Sequence, residues 1–251
     1  MSPLTERYGG LLAGVVLVVL LGGLGTLVVI SLAPRTQFGG VWEYRQLFFT
    51  GWLWTLGISA GALVCACFLA PLWAMGGMSR LTAVRWTTRG LTEILRGTPF
   101  LVLLLVGFYV IADALGITNR VLAGGFLLAL YHSCYLGEML RGGIESVGRL
   151  QWESARAVGF YDSQAFRLVI LPQALRRVLP GLAGQSITLV KDSALLSVVG
   201  VMELTKQAQS ASSLTFSTFE AYLPMAAGYL ILTLPLSFLS RSLERRLQRA
   251  D

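Results

Sequence analysis

Charge is what this sequence has little of. Only 13% of its 251 residues are Asp, Glu, Lys or Arg, about half the roughly 25% usual in a soluble domain. That deficit excludes most soluble classes, nucleic-acid binders among them, in spite of a net charge of +7. A disordered chain is excluded from the other side, because such chains are poor in large apolar residues and this one is 55% hydrophobic. Lysine is almost missing: of the 20 basic residues, 18 are Arg, leaving Lys191 and Lys206.

Motifs that carry chemistry are missing too. There is no G-x-x-x-x-G-K, and neither Lys follows a Gly, so the chain has no P-loop with which to bind ATP. H-E-x-x-H and C-x-x-C are also absent. Cys65 and Cys67 form a C-x-C inside one apolar run and Cys134 sits in another. With no His or second pair at metal-ligand spacing, they read as small packing residues in lipid rather than metal ligands. The single histidine, His132, has no carboxylate at a pairing distance along the chain; Glu138 follows six residues later, on a different helix face. It reads as a buried polar residue packed against a neighbouring segment. The chain therefore looks non-enzymatic and without a metal or cofactor of its own.

What is present is a series of long apolar runs. A bilayer core takes about 20 predominantly apolar residues per helix, and six runs qualify: 11–33, 53–75, 99–117, 121–140, 187–201 and 221–239. The first carries no charge. Arg7 before it and Ser31-Leu32-Ala33 at its end resemble a signal peptide, but an apolar core of about 20 residues exceeds the roughly 7–15 of a secretory one. It reads as a retained span. Pro71 predicts a kink in the second. Asp113 lies in the last turns of the third, His132 and Glu138 in the fourth, and Thr188, Lys191 and Asp192 in the fifth. The expected fold is an all-α integral membrane protein with six transmembrane helices.

Six spans put both termini on one side. The N-terminus, segments 76–98 and 141–186, and the tail from Arg241 carry 15 Arg, against Arg35, Arg45, Arg120 and Lys206 on the other side. Basic residues accumulate on cytoplasmic loops, so both termini and the 141–186 segment belong in the cytoplasm.

That segment runs 46 residues with 6 Arg. Helix formers from Gln151 to Val158 end at Gly159, where a left-handed C-terminal cap belongs. Asp162 or Ser163 can cap a further short helix through Phe166, Val169 and Ile170. Pro172 and Pro180 are expected to break the chain before the fifth span. A short basic helix between two stops suits either docking on a cytoplasmic partner or lying on the membrane surface.

Ionisable groups at membrane depth are costly and point to function. In the fifth run Gln185, Thr188 and Asp192 stand at i, i+3 and i+7, along one helix face. An amide, a hydroxyl and a carboxylate together suit the ammonium and polar groups of a small zwitterion. Lys191, one position round, is placed to meet a carboxylate or to pair with Glu138 on another span. Mutual satisfaction between helices is the plainer alternative.

Glu153-Ser154-Ala155-Arg156-Ala157-Val158-Gly159, followed by Ile170-Leu171-Pro172, resembles the cytoplasmic EAA loop of permease subunits in binding-protein-dependent ABC importers. Ser154 stands where that pattern has its first Ala. Glu93 through Pro99, Glu138 through Val147, Leu171 through Arg176 and Gln185 through Ser193 are similar to the polar amino-acid permeases of the histidine/glutamine/arginine type. The resemblance covers residues 53–241.

The resemblance implies a division into an added N-terminal helix and external loop (1–50), the importer transmembrane domain (51–241) and a cytoplasmic tail (242–251). It implies an ATP-driven importer of a polar amino acid in a bacterial inner membrane. The expected partners are a second permease subunit, an extracytoplasmic substrate-binding protein and a cytoplasmic ATPase dimer holding ATP and Mg, with no nucleic acid. It also implies that Glu153, Ser154, Ala155, Arg156, Ala157 and Gly159 couple to the ATPase, and that the positions of Gln185 and Asp192 face the substrate. A permease for another small solute such as an opine would keep the same loop. An ion-coupled secondary transporter using Glu138, Lys191 and Asp192 would leave that loop without a role.

Overall fold

The computed structural model describes residues 40 and 42–247; the expected first span, 11–33, lies outside them. Among the described residues every regular element is helical. Helix α1 (Arg45–Gly77) is followed by α2 (Thr82–Gly97) and α3 (Phe100–Val106), which widens into a π turn over Gly107–Ala112. Next come α4 (Arg120–Glu145), α5 (Arg149–Ala157) and α6 (Asp162–Ala165), which passes through a second π turn, Phe166–Ile170, into α7 (Leu171–Asp192). A 3₁₀ turn, Ser193–Val199, leads to α8 (Leu204–Thr215), and α9 (Thr218–Leu247) completes the order.

Helix α1 shows why these elements pack. Its buried residues, Gly51, Thr55, Ile58, Ser59, Ala62, Ala66, Ala70, Ala74 and Gly77, are mostly small and recur every three or four positions. The rest of its surface, including Phe68, Leu72 and Met75, is exposed and apolar. Between apolar helices in lipid no hydrophobic force favours association, so a small-residue stripe that lets backbones approach supplies the contact. Helix α4 lies on that stripe. A Cβ on Gly137 would stand 2.9 Å from the carbonyl oxygen of Ala70, so only glycine fits there. Asn119 starts α4 by accepting from the backbone N–H groups of Val121 (3.0 Å) and Leu122 (3.1 Å).

A core of Ile58, Ala62, Phe100, Leu104, Leu128, Ala129, Leu189, Leu196, Val199 and Val201 joins α1, α3, α4, α7 and the 3₁₀ turn. A second, of Ile144, Val147, Ile170 and Ala174 with Trp152 and Phe166 against it, gathers the end of α4, α5 and the start of α7. On one side α8 is held by a buried acid. Glu203 caps it, accepting from the N–H groups of Thr205 and Lys206, both at 2.9 Å, and from the Tyr229 hydroxyl of α9 at 2.7 Å. Thr55 of α1 accepts from the N–H of Leu204 at 3.0 Å. Burial pushes the Glu203 carboxyl above its usual range, and the donors around it oppose that rise.

Two helices among the described residues, Arg45–Gly77 and Thr218–Arg245, are long and apolar enough to cross a membrane; Thr82–Gly97 with Phe100–Ala112 passes only as a pair bent by 107°. Several expectations are corrected. Pro172 and Pro180 do not break the chain: Pro172 sits in the first turn of α7, where no N–H is needed, and Pro180 lies inside a continuous helix. The polar fifth segment therefore begins sixteen residues earlier, at Leu171 rather than 187. Segment 202–220 is mostly the helix α8 rather than a loop. The cap of α6 is Tyr161, whose N–H donates to Gln164 Oε1 at 3.0 Å. Asp162 pairs instead with Arg156, at 2.8 Å.

Candidate substrate face and coupling helix

Helices α4 and α7 bring one constellation together. Gln185 and Asp192, seven residues apart on α7, both reach the imidazole of His132 on α4. The Gln185 amide nitrogen lies 2.8 Å from Nδ1. Asp192 Oδ2 lies 3.3 Å from Nε2, but out of line for a hydrogen bond, so Nε2 is a buried polar atom without a hydrogen-bond partner. His132 is completely buried, whereas the Asp192 side chain is 27% exposed. The Tyr131 ring stands edge-on to the imidazole at 5.3 Å, and its hydroxyl is 3.1 Å from that of Tyr135.

The other expected site residues go elsewhere. Thr188 is exposed, and its hydroxyl donates weakly to its own helix, at Gly184 O, 3.5 Å away. Lys191 is exposed and does not pair with Glu138. Six residues of helix carry Glu138 about 9 Å along α4 from the level of His132. There its carboxylate is held bidentately by Arg141 at 2.8 and 3.1 Å, with Arg96 at 4.0 Å. Arg141 also reaches Glu145 at 2.6 Å, and Arg96 stacks on the Tyr135 ring at 5.2 Å. Glu138 thus belongs to a cluster at the opposite end of α4 from Arg120.

On the same end lies α5, the expected coupling helix. Its C-terminus closes as expected: Gly159 has φ +91°, Phe160 N–H donates to Ala155 O at 3.1 Å and Gly159 N–H to Arg156 O at 3.0 Å. These two bonds form a Schellman cap, which needs the left-handed residue. Trp152 stacks on Phe166, with ring centroids 6.3 Å apart. Arg177 of α7 donates to the Ser146 carbonyl at 2.6 Å and to its hydroxyl at 2.9 Å. Gln173 donates to Gln151 at 3.3 Å. The segment is thereby braced on both α4 and α7. One coupling residue departs from expectation: Ala155 is 4% exposed, turned into its own chain, because the face it shares with Trp152 packs inward. Glu153, Ser154, Arg156, Ala157 and Gly159 are exposed.

Residues 62–249 match the family described as the inner-membrane component of binding-protein-dependent transport systems. The chain belongs to that family. Among curated relatives of this permease, the "Probable glutamine ABC transporter permease protein GlnM" of Bacillus subtilis (strain 168) is 35% identical over 205 residues, covering 82% of this chain and 95% of the relative. The arginine ABC transporter permease protein ArtQ of Haemophilus influenzae is 34% identical over 220 residues, covering 83% and 97%. A crystal structure of an amino acid ABC transporter with histidines superposes with a TM-score of 0.77 at 35% identity, covering 84% of this permease and 99% of that chain. The MetNI methionine ABC transporter, at 20% identity and a TM-score of 0.65, shares the fold. The family is one of transport permeases, not of catalytic subunits.

The parts of this site differ in how far the sequence shows them. His132 and Asp192 are 60 positions apart, and no spacing rule joins a residue on one helix to a residue on another. The Glu138–Arg141–Glu145 ladder was visible as i+3 and i+4 spacings. Glu203 gave the cap signal of an acid before a helix, hidden because 202–220 read as a loop.

Proposed function

We propose that this permease is the membrane subunit of an ATP-driven importer of a polar amino acid, working by alternating access. The observation that carries the reading is the meeting of Gln185, His132 and Asp192 between α4 and α7, in a chain whose relatives bear the names of amino-acid permeases. A carboxylate and an amide beside a buried imidazole offer acceptors to an ammonium group, and the partial exposure of Asp192 leaves room for one.

In this reading a second permease copy or a paralogue faces α7 and completes the pathway. A binding protein delivers the amino acid from outside, and an ATPase pair holds ATP and Mg and performs hydrolysis. The exposed residues Glu153, Ser154, Arg156, Ala157 and Gly159 dock on that ATPase. Displacement of α5 passes through Arg177, Gln173 and the Trp152 core to the helices that carry His132, Gln185 and Asp192.

Reconstitution with the ATPase and binding protein, with a screen of amino acids, tests the proposal. Uptake and ATP hydrolysis should both rise with one polar amino acid; uptake driven by an ion gradient without ATP would overturn it. The reading also includes six spans in the inner membrane, with both termini in the cytoplasm. With Cys65, Cys67 and Cys134 replaced by alanine, a lone Cys at position 45 should react with a membrane-impermeant maleimide and one at 149 should not. Equal labelling of the two would reverse or dissolve that topology.

A further inference from the structure

From the hydrogen bond at one ring nitrogen and the carboxylate facing the other we infer that His132 is the positioning residue that aims Gln185 and Asp192 at the ammonium group of the permeant. The inference rests on the proposed substrate face and goes beyond it, because His132 itself has no exposed surface and touches no permeant.

The assignment follows from the partners. Nδ1 faces an amide nitrogen at 2.8 Å. A nitrogen donor requires a lone pair on the ring, so Nδ1 is the acceptor and the ring proton sits on Nε2. Nε2–H in turn faces Asp192 Oδ2 at 3.3 Å, and an ionised carboxylate accepts only. The imidazole, completely buried, therefore holds Gln185 by a hydrogen bond and turns Nε2–H toward the Asp192 carboxylate. Ring contacts hold it there: Tyr131 stands perpendicular to it at 5.3 Å, and Tyr135 lies 6.4 Å away.

The orientation has a chemical consequence. With its nitrogen committed to His132, the Gln185 amide has its oxygen free to accept. With Oδ2 turned to Nε2–H, Asp192 keeps its other oxygen, and among the described residues no hydrogen bond occupies it. Two acceptors, the amide oxygen and the free carboxylate oxygen, are then presented beside exposed Thr188. That set matches the α-ammonium of an amino acid, which donates three hydrogen bonds, and discriminates against the same molecule without its amine. Were the amide reversed, it would present a donor and repel the ammonium. The buried Nε2–H, not hydrogen-bonded in this geometry, also favours the small Asp192 movement that would line it up, since an unmet buried donor is costly.

The test uses the assembled transporter in nanodiscs without binding protein, and the ratio of two affinities. The probes are L-glutamine against its des-amino analogue 4-carbamoylbutanoate, and L-arginine against 5-guanidinopentanoate, by scintillation proximity competition. The wild type is expected to prefer the ammonium-bearing member of the better-bound pair by about 10- to 150-fold, the worth of one charge-assisted hydrogen bond. His132→Leu should reduce that preference to about threefold or less. His132→Asn, which keeps an acceptor near Nδ1 and lacks Nε2, should fall between the two. Asp192→Asn should also lose the preference. Equal weakening of both members in His132→Leu, with the ratio kept, would show a structural role only and overturn the inference. If His132→Leu does not assemble, a full wild-type ratio in His132→Asn overturns it instead. Should Asp192→Asn lose the preference while the His132 variants keep it, the inference fails and the substrate face stands. Should all variants keep it, or the wild type show none, the substrate face itself fails.

Discussion

Ala155→Asp is expected to abolish uptake and binding-protein-stimulated ATP hydrolysis together. Ala155 is 4% exposed and faces its own chain, on the side of α5 that bears Trp152. A carboxylate there has no cation to meet: Arg156, the nearest in sequence, points outward to Asp162 at 2.8 Å. Burying an unpaired charge costs several kcal/mol even after relaxation, which is comparable to what the small cluster of Ile144, Val147, Ile170 and Ala174 with Trp152 and Phe166 can hold together. Helix α5 should therefore leave α4 and α7. Ser154→Asp separates this from docking, because Ser154 is exposed: it leaves the fold alone and alters only the outer face. Protease sensitivity at Arg149 and Arg156 should rise in Ala155→Asp and stay unchanged in Ser154→Asp. Hydrolysis that remains stimulated in Ala155→Asp would mean that α5 is not mechanically part of the cycle. Impaired hydrolysis in Ser154→Asp, with normal protease resistance, would support ATPase contact through the exposed face.

Ala155 also shows where reading a sequence stops. Its smallness was legible, and smallness does mean close approach, but nothing in the chain says what approaches. An alternation of small and exposed residues on a nine-residue helix suits a partner's groove and the chain's own core equally well. Gly159 was legible in full, because a left-handed cap is a local demand that only backbone chemistry answers. The apolar runs were legible for the same reason that membranes select them. Pro180 stays inside α7 although proline usually stops a helix, because the carbonyl it frees, four residues back, need not turn to water. Between packed helices neighbouring groups can satisfy it instead; at this turn α9 is close enough for Ser240 to donate to the carbonyl of Pro180 itself, at 3.3 Å. The expected stop at Pro180 misplaced the bounds of α7 as well. Gln185 and Asp192 were placed on one face from periodicity alone, and the structure turns both to the same imidazole. Charge alone offers Glu138 as one possible partner for Lys191, and the antiparallel run of α4 against α7 separates the two.

Asp192→Asn should lower transport without preventing assembly, and Gln185→Ala should do the same to a different degree. Asn keeps the size of Asp192 and an oxygen that can face His132 Nε2, so the buried ring keeps its neighbour and the α4–α7 seam stays closed. What is lost is the charge offered to the ammonium, worth about 1.5–3 kcal/mol, or roughly 10- to 150-fold in affinity. Gln185→Ala removes a neutral amide and leaves His132 Nδ1 without its donor, a cost of about 1–3 kcal/mol spread between stability and binding. Because both side chains act through one imidazole, their effects should not add: the double variant should transport about as poorly as the worse single one. Assembly is read by co-purification with the ATPase, and transport by uptake at subsaturating and saturating amino acid. Loss confined to subsaturating conditions places Asp192 in ground-state binding. Equal loss at both places it in the conformational step, where the carboxylate beside the buried ring would have to be resolvated as the pathway opens. Normal uptake at both by Asp192→Asn would mean that the carboxylate meets His132 for the sake of packing and that the permeant binds elsewhere.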